Sequence, residues 1–337
     1  MLFRSLASSV YKKTAGWLLI RVRSGDSISL AAPRDLKLPP ADWYGELFAP
    51  LCADGLPLPD PPLPPHIELG FKTALTTFTP ALLRERLRVG AKLGVEIESA
   101  PRACLRRRDW IVSLLRYCLS DKTKALSQLP LAISCDGRLQ AFGFYALYIA
   151  TEDERAIFGR YPHWFIDPAF QRDTGLEPAA DAKLIRMRPA DVVTNLRHVL
   201  TAASPCPWQP DDSAAPNRRW LEGLLHYLSK AELPASSIEQ LKNLPLVPGS
   251  DGKLYAPGRS DTPLLASADE DRAELLAVLR ALDVPVVESE FQESCRRFAT
   301  ARPGLLTAMS GPALVSLLHG RRPHLEGLAR DSAALLL

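Results

Sequence analysis

The chain has 337 residues, room for about two domains of ordinary size. Its 41 basic and 38 acidic residues leave a formal charge of +3, and 47% of its residues are hydrophobic. That near-balance excludes the strong basic field of a nucleic-acid or membrane-surface binder, and the early apolar run over residues 15–20 is too short to span a bilayer.

Proline is abundant at 30 residues and is expected in loops, at edge-strand starts and in first helical turns. The six cysteines (52, 104, 118, 135, 206 and 295) form no C-x-x-C clamp. They read as free thiols in a reducing compartment, so a cytoplasmic location is expected.

Before Asp26 there is no acidic residue, while Arg4, Lys12, Lys13, Arg21 and Arg23 are basic. That is the composition of an organelle transit segment. The favoured reading is strand: GWLLIRVRSGDSISLAAP predicts a hairpin turning around Ser24-Gly25-Asp26.

Beyond it, four blocks occur twice in the same order. PALLRERL from Pro80 matches PADVVTNL from Pro189. Thr79 before Pro80 predicts a capped helix start, whereas Arg188 holds that place in the second copy and specifies it less well. DWIVSLLRYCL from Asp109 matches RWLEGLLHYLS from Arg219. Trp110, Leu114, Tyr117 and Cys118 recur at helical spacing, as do Trp220, Leu224, Tyr227 and Leu228, predicting helices with buried aromatics.

The third block is LPLAISCDGRL from Leu129 and LPLVPGSDGKL from Leu244. Asp136-Gly137 and Asp251-Gly252 predict hairpins, because glycine accepts positive φ and aspartate tolerates it. Pro130 and Pro245 cannot donate to a ladder and should start an edge strand or sit just outside it. The fourth block is acidic: TEDERA from Thr151 and ADEDRA from Ala268. Thr151 with Glu154, and Ser267 with Glu270, have capping-box spacing. Each leads into an apolar strand-like segment, HWFID or VPVVE. The expected fold is mixed α+β: two tandem repeats of about 110–115 residues, each helix–helix–β-hairpin–helix–strand, a unit of small-domain size.

No catalytic constellation emerges. The six histidines form no H-x-x-x-H pair, there is no phosphate-binding glycine loop, and GSDG from Gly249 lacks nucleophile-elbow spacing. Glu152-Asp153-Glu154 reads as a helix start because acidic residues recur there in the second copy. Arg106-Arg107-Arg108 and Arg218-Arg219 precede the tryptophan helices. A solvated helix flank is the favoured reading, with Arg107 and Arg219 as possible contacts to an anion or acidic partner.

The combination of W-x-x-x-L-L-x-Y with L-P-L…D-G…L, then a helix and a Val/Phe-rich strand, resembles the repeated regions of the sacsin family. KLPPADWYGELFAPLCADGLPLPDPPL resembles the segment before the Thr-Pro helix of those repeats, and the resemblance covers residues 37–289. It implies part of a large chaperone-like protein in protein quality control, whose ATPase domain of the heat-shock type precedes the repeats. This chain departs from the ATPase pattern: no magnesium-holding asparagine is in a suitable setting and D-x-G-x-G is absent. No ATP-handling residue carries over, and an ATPase would be supplied outside this chain.

The expected organisation is a strand-rich remainder of a preceding unit over residues 1–65, repeats over 66–175 and 176–290, and a helical tail over 291–337. The expected role is a non-enzymatic scaffold, a fragment or shortened relative, that binds client or partner proteins. It needs no cofactor or metal and engages neither nucleic acid nor membrane. The alternatives are a regulatory interaction module, or a nucleotide- or phosphate-binding enzyme with its site between the repeats.

Overall fold

The protein is described by a computed structural model, which covers residues 20–40, 43–60, 63, 68, 76–88, 94–100, 102–120, 126–201, 203–259, 261–266, 279 and 284–309. The expectations for Arg4, Lys12, Lys13, the Ser267–Glu270 cap and residues 310–337 of the tail lie outside these residues.

The fold is mixed α+β. In chain order its elements are β1 (Ile20–Ser24), β2 (Ser27–Ala31), β3 (Lys37–Leu38), α1 (Ala49–Ala53) after a π-turn over Tyr44–Phe48, β4 (Leu58–Pro59), β5 (Thr76–Thr77), α2 (Pro80–Arg88), β6 (Val95–Glu96) and α3 (Arg108–Cys118). There follow β7 (Ala132–Ile133), β8 (Arg138–Gln140), β9 (Leu147–Ile149), α4 (Glu152–Ile157), α5 (Pro168–Thr174), β10 (Leu184–Arg186) and α6 (Pro189–Asn195). The last are β11 (Cys206–Pro207), α7 (Arg218–Lys230), α8 (Ala235–Leu241), β12 (Val247–Pro248), β13 (Lys253–Tyr255) and α9 (Gln292–Ala301).

These elements form two compact units. One comprises Met1–Ala150 with Tyr161–Arg186, the other Thr151–Arg160 with Met187–Leu337. α4 groups with the second unit, while the segment after it groups with the first.

In the first unit, the N-terminal hairpin forms where the sequence predicts it. Ser24 faces Ser27 across a Gly25-Asp26 turn, and β1 also pairs with β4. The Asp136-Gly137 hairpin joins β7 to β8, with Ile133 opposite Leu139, and β6 adds to the other side of β8 with Val95 opposite Leu139. Pro130 sits just outside β7, as a residue without an N–H must. β9 and β10 run parallel, and single bridges join Ser134 to Ile166 and Tyr148 to Phe165. The expected strand HWFID is thus only two bridged residues, preceded by a 3-10 turn over Pro162–Trp164.

The tryptophan helix α3 supplies the floor of this unit's core. Trp110, Ile111, Leu114, Leu115 and Cys118 cluster with Leu83 and Leu87 of α2 and with Leu131, Ile133 and Leu139 of the hairpin. Apolar residues at helical spacing on α3 thereby meet alternating residues of the strands. Thr79 caps α2 by accepting from the Leu82 N–H at 3.3 Å.

In the second unit β13 lies between β11 and β12, with Cys206 and Pro248 both opposite Leu254. Bridges join Gly249 to Val287, Leu264 to Val286 and Leu265 to Ala308. Helix α7 packs against α4 and α9 and buries Leu221, Leu224, Leu225 and Leu228. Arg188 opens α6 without a side-chain acceptor, but Asp191 compensates by accepting from the Arg188 N–H at 3.0 Å.

Gly137 and Gly252 both have φ of +75°, and a Cβ added at either would meet nothing within 4 Å. An alanine there is penalised only through the backbone. Gly137→Ala and Gly252→Ala should each lower unfolding free energy by about 1–2 kcal/mol in urea melts. An unchanged midpoint would show that the hairpin glycine is dispensable.

Candidate functional site

Each tryptophan helix carries a polar anchor at its buried aromatic. In the first unit the Trp110 indole N–H donates to the Leu47 carbonyl at 2.9 Å, 63 residues earlier. In the second the Trp220 indole donates to the Ile157 carbonyl at 2.7 Å, again 63 residues earlier. A buried indole needs such an acceptor, or its hydration is lost without return. The expected packing role of Trp110 and Trp220 thus has an acceptor in each unit.

The tyrosines are anchored differently. Tyr117 donates to the Phe78 carbonyl at 2.7 Å, and burial pushes its hydroxyl up to about 12. Tyr227 donates to Glu154 at 3.0 Å. Burial raises its pKa, and the neighbouring Glu154 carboxylate raises it further. Glu154 also closes the capping box of α4, accepting from the Thr151 N–H at 2.8 Å while its own N–H reaches the Thr151 hydroxyl. One carboxylate therefore ties the start of α4 to α7.

An arginine at the start of each tryptophan helix hooks the acidic residue that follows the bridged strand residues. Arg108 donates to Asp167 at 2.7 Å. Arg218 lies 3.9 Å from Glu288 and also pairs with Glu290. Asp167 further caps α5 by accepting from the Phe170 N–H at 2.7 Å. Burial alone would raise the pKa of Asp167, but the bonds from Arg108 and the Phe170 N–H outweigh it and hold the carboxyl below its ordinary range.

The hairpin aspartates also have local roles. Asp136 accepts from the Ser134 hydroxyl at 2.6 Å and pairs with Arg138 at 3.4 Å. Asp251 accepts from the Tyr255 hydroxyl at 2.7 Å and pairs with Lys253 at 3.1 Å. Pro245, like Pro130, is buried just before its strand.

Of the two arginines singled out in the sequence, Arg107 is exposed at the N-cap of α3 in the first unit. Arg219 is exposed on α7 in the second, where it lines a pocket of about 570 Å³ with Asp153, Arg160, Asn217, Trp220 and Gly223. Their neighbours Arg108 and Arg218 appear in the sequence only as members of the same basic clusters, although these two share the 110-residue offset of Trp110 and Trp220. That offset, with Asp167 and Glu288 ending F-I-D and V-V-E, is the signal that finds them. Among the described residues no group of three or more His, Cys, Asp or Glu side chains is placed to hold a metal ion, and no helix is long and apolar enough to cross a membrane.

No family model, curated protein or solved structure matches the chain.

Because folded Asp167 titrates below an unfolded aspartate, its stabilisation is complete above the unfolded value of about 3.9. It is lost as pH falls through the lower folded value. Asp167→Asn retains a capping oxygen and removes the charge. It should cost on the order of 1 kcal/mol near neutral pH and flatten the acid side of the stability profile. Urea melts across the acid range check this, and an acid limb identical to that of the parent would exclude Asp167 as its source.

Proposed function

We propose that the chain is an array of one repeated α+β unit and serves as a non-enzymatic, sacsin-like scaffold that binds other proteins. One observation carries the reading: the residues the sequence writes twice are engaged in architecture. Trp110 and Trp220 donate to backbone carbonyls, Arg108 and Arg218 hook strand-end carboxylates, and Asp136 and Asp251 brace their hairpins. An enzyme duplicated in this way would be expected to repeat reactive groups facing a shared cleft. These groups instead repeat a frame.

Surface left apolar supports the binding half of the proposal. Ile28, Leu30, Phe144, Tyr145 and Ile185 are large side chains with substantial exposure, Tyr145 reaching 69%. Aromatic side chains exposed on a loop suit contact with unfolded or partner chains. The six free thiols fit a reducing, cytoplasmic setting. An ATPase acting with this scaffold would be supplied outside the chain.

The test is light scattering of a heat-aggregating client mixed with equimolar chain and no nucleotide. Scattering should fall, and less so with Phe144→Ser/Tyr145→Ser. Unchanged scattering with the parent chain would defeat the client-binding reading. A thermal shift with phosphate esters, abolished by Arg219→Ala, would transfer the case to a phosphate-binding function at the second unit's pocket.

A further inference from the structure

The N-terminal hairpin shares its wiring with the other two hairpins. The Asp60 N–H donates to the Arg21 carbonyl, the Asp167 N–H to the Ile133 carbonyl and the Glu288 N–H to the Pro248 carbonyl, all at 2.9–3.0 Å. Those acidic residues lie in the related phrases LPDPPL, FIDPAF and VVESEF. The second strands also correspond: Leu30-Ala31-Ala32 with Leu139-Gln140-Ala141 and Leu254-Tyr255-Ala256. Ala32, Ala141 and Ala256 are all buried. Each hairpin is followed by a parallel pairing, Lys37 with Thr76, Leu147 with Leu184, and Leu265 with Ala308.

One feature differs. β8 and β13 are middle strands, covered by β6 and β11, whereas among the described residues β2 is the edge of the order β2-β1-β4. The leucine reports the consequence. Leu139 and Leu254 are 3% and 1% exposed, while Leu30 is 58% exposed and its neighbour on the same face, Ile28, 52%. Leu139 faces Val95 of β6 and lies in the core with Trp110 and Ile111 of the helix that follows. Leu254 faces Cys206 of β11 in the same way.

We propose that the outer edge of β2 and its exposed Ile28/Leu30 face are a docking site for an extended strand and the amphipathic tryptophan helix after it, the layer formed by β6 and α3, supplied by a further unit of this repeat. In the two covered hairpins that strand lies 44 and 48 residues upstream of the leucine it faces. Leu30 has 29 residues before it in this sequence, fewer than either spacing. Recognition is by strand addition: main-chain groups on the outer side of β2 give affinity, and an apolar residue opposite Leu30 gives register. The site rests on the repeat reading above but not on client binding, since a chain that holds no clients can still take the strand.

The probe is a labelled peptide with the sequence of residues 94–118, added to the full chain and followed by fluorescence anisotropy and amide hydrogen exchange. Saturable binding is expected, with exchange slowed over Ser27–Ala31. Leu30→Asp, an exposed position whose change should leave the fold intact, should weaken binding about tenfold or more, and Ile185→Asp should not. Absence of binding, unchanged exchange over Ser27–Ala31, or equal affinity for Leu30→Asp would overturn the proposal. So would concentration-dependent self-association dissolved by Leu30→Asp, which would assign the face to a second copy of the chain.

Discussion

The structure depends on how a buried tryptophan finds an acceptor. An indole contributes a large apolar area to a core, but its N–H must be satisfied there. Trp110 and Trp220 both solve this with a carbonyl 63 residues upstream, that of Leu47 or Ile157. That bond holds the tryptophan helix against the end of an earlier helical segment. The helix then has a defined rotation, which directs Leu114 and Leu115, or Leu224 and Leu225, into the core. In the first unit the hairpin closes over the same apolar face through Ile133 and Leu139.

The arginine hook adds direction to that packing. Apolar burial is indifferent to small rotations, whereas an Arg–carboxylate pair is not. Arg108 and Asp167 join the start of α3 to the end of the bridged Phe165-Ile166 segment, and in the second unit Arg218 lies near the corresponding Glu288 at a longer 3.9 Å. Such partly exposed pairs contribute modestly to stability. Their larger effect is to set which strand residue lies beside the helix start. The position recurs while the residue changes, aspartate in one unit and glutamate in the other, as expected when geometry matters more than a particular chemistry.

What the sequence displayed was local. The tryptophan helices were legible because Trp110, Leu114, Tyr117 and Cys118 keep a helical period, and the hairpins because Asp-Gly interrupts short apolar runs. The capping box of Thr151 and Glu154 was legible for the same reason: its partners are three residues apart. Two-residue strands such as β6 and β11 are too short to show alternation, so the third strand of each hairpin sheet had no signal. Arg108 was hidden within a run of three arginines, its partner 59 residues away. The grouping of Thr151–Arg160 with the second unit is likewise set by long-range bonds, those of Ile157 and Glu154 to α7. Sequence adjacency instead joins that segment to the strands before and after it.

The two indole bonds hold both tryptophan helices in place. The decisive measurement is hydrogen exchange of the Trp110 and Trp220 indole protons by NMR in the intact chain. If each indole is held by its upstream carbonyl, both protons exchange slowly, released only when their unit unfolds. Exchange of either at the rate of a solvent-exposed indole would contradict the anchoring of the tryptophan helices, and with it the repeat frame we propose.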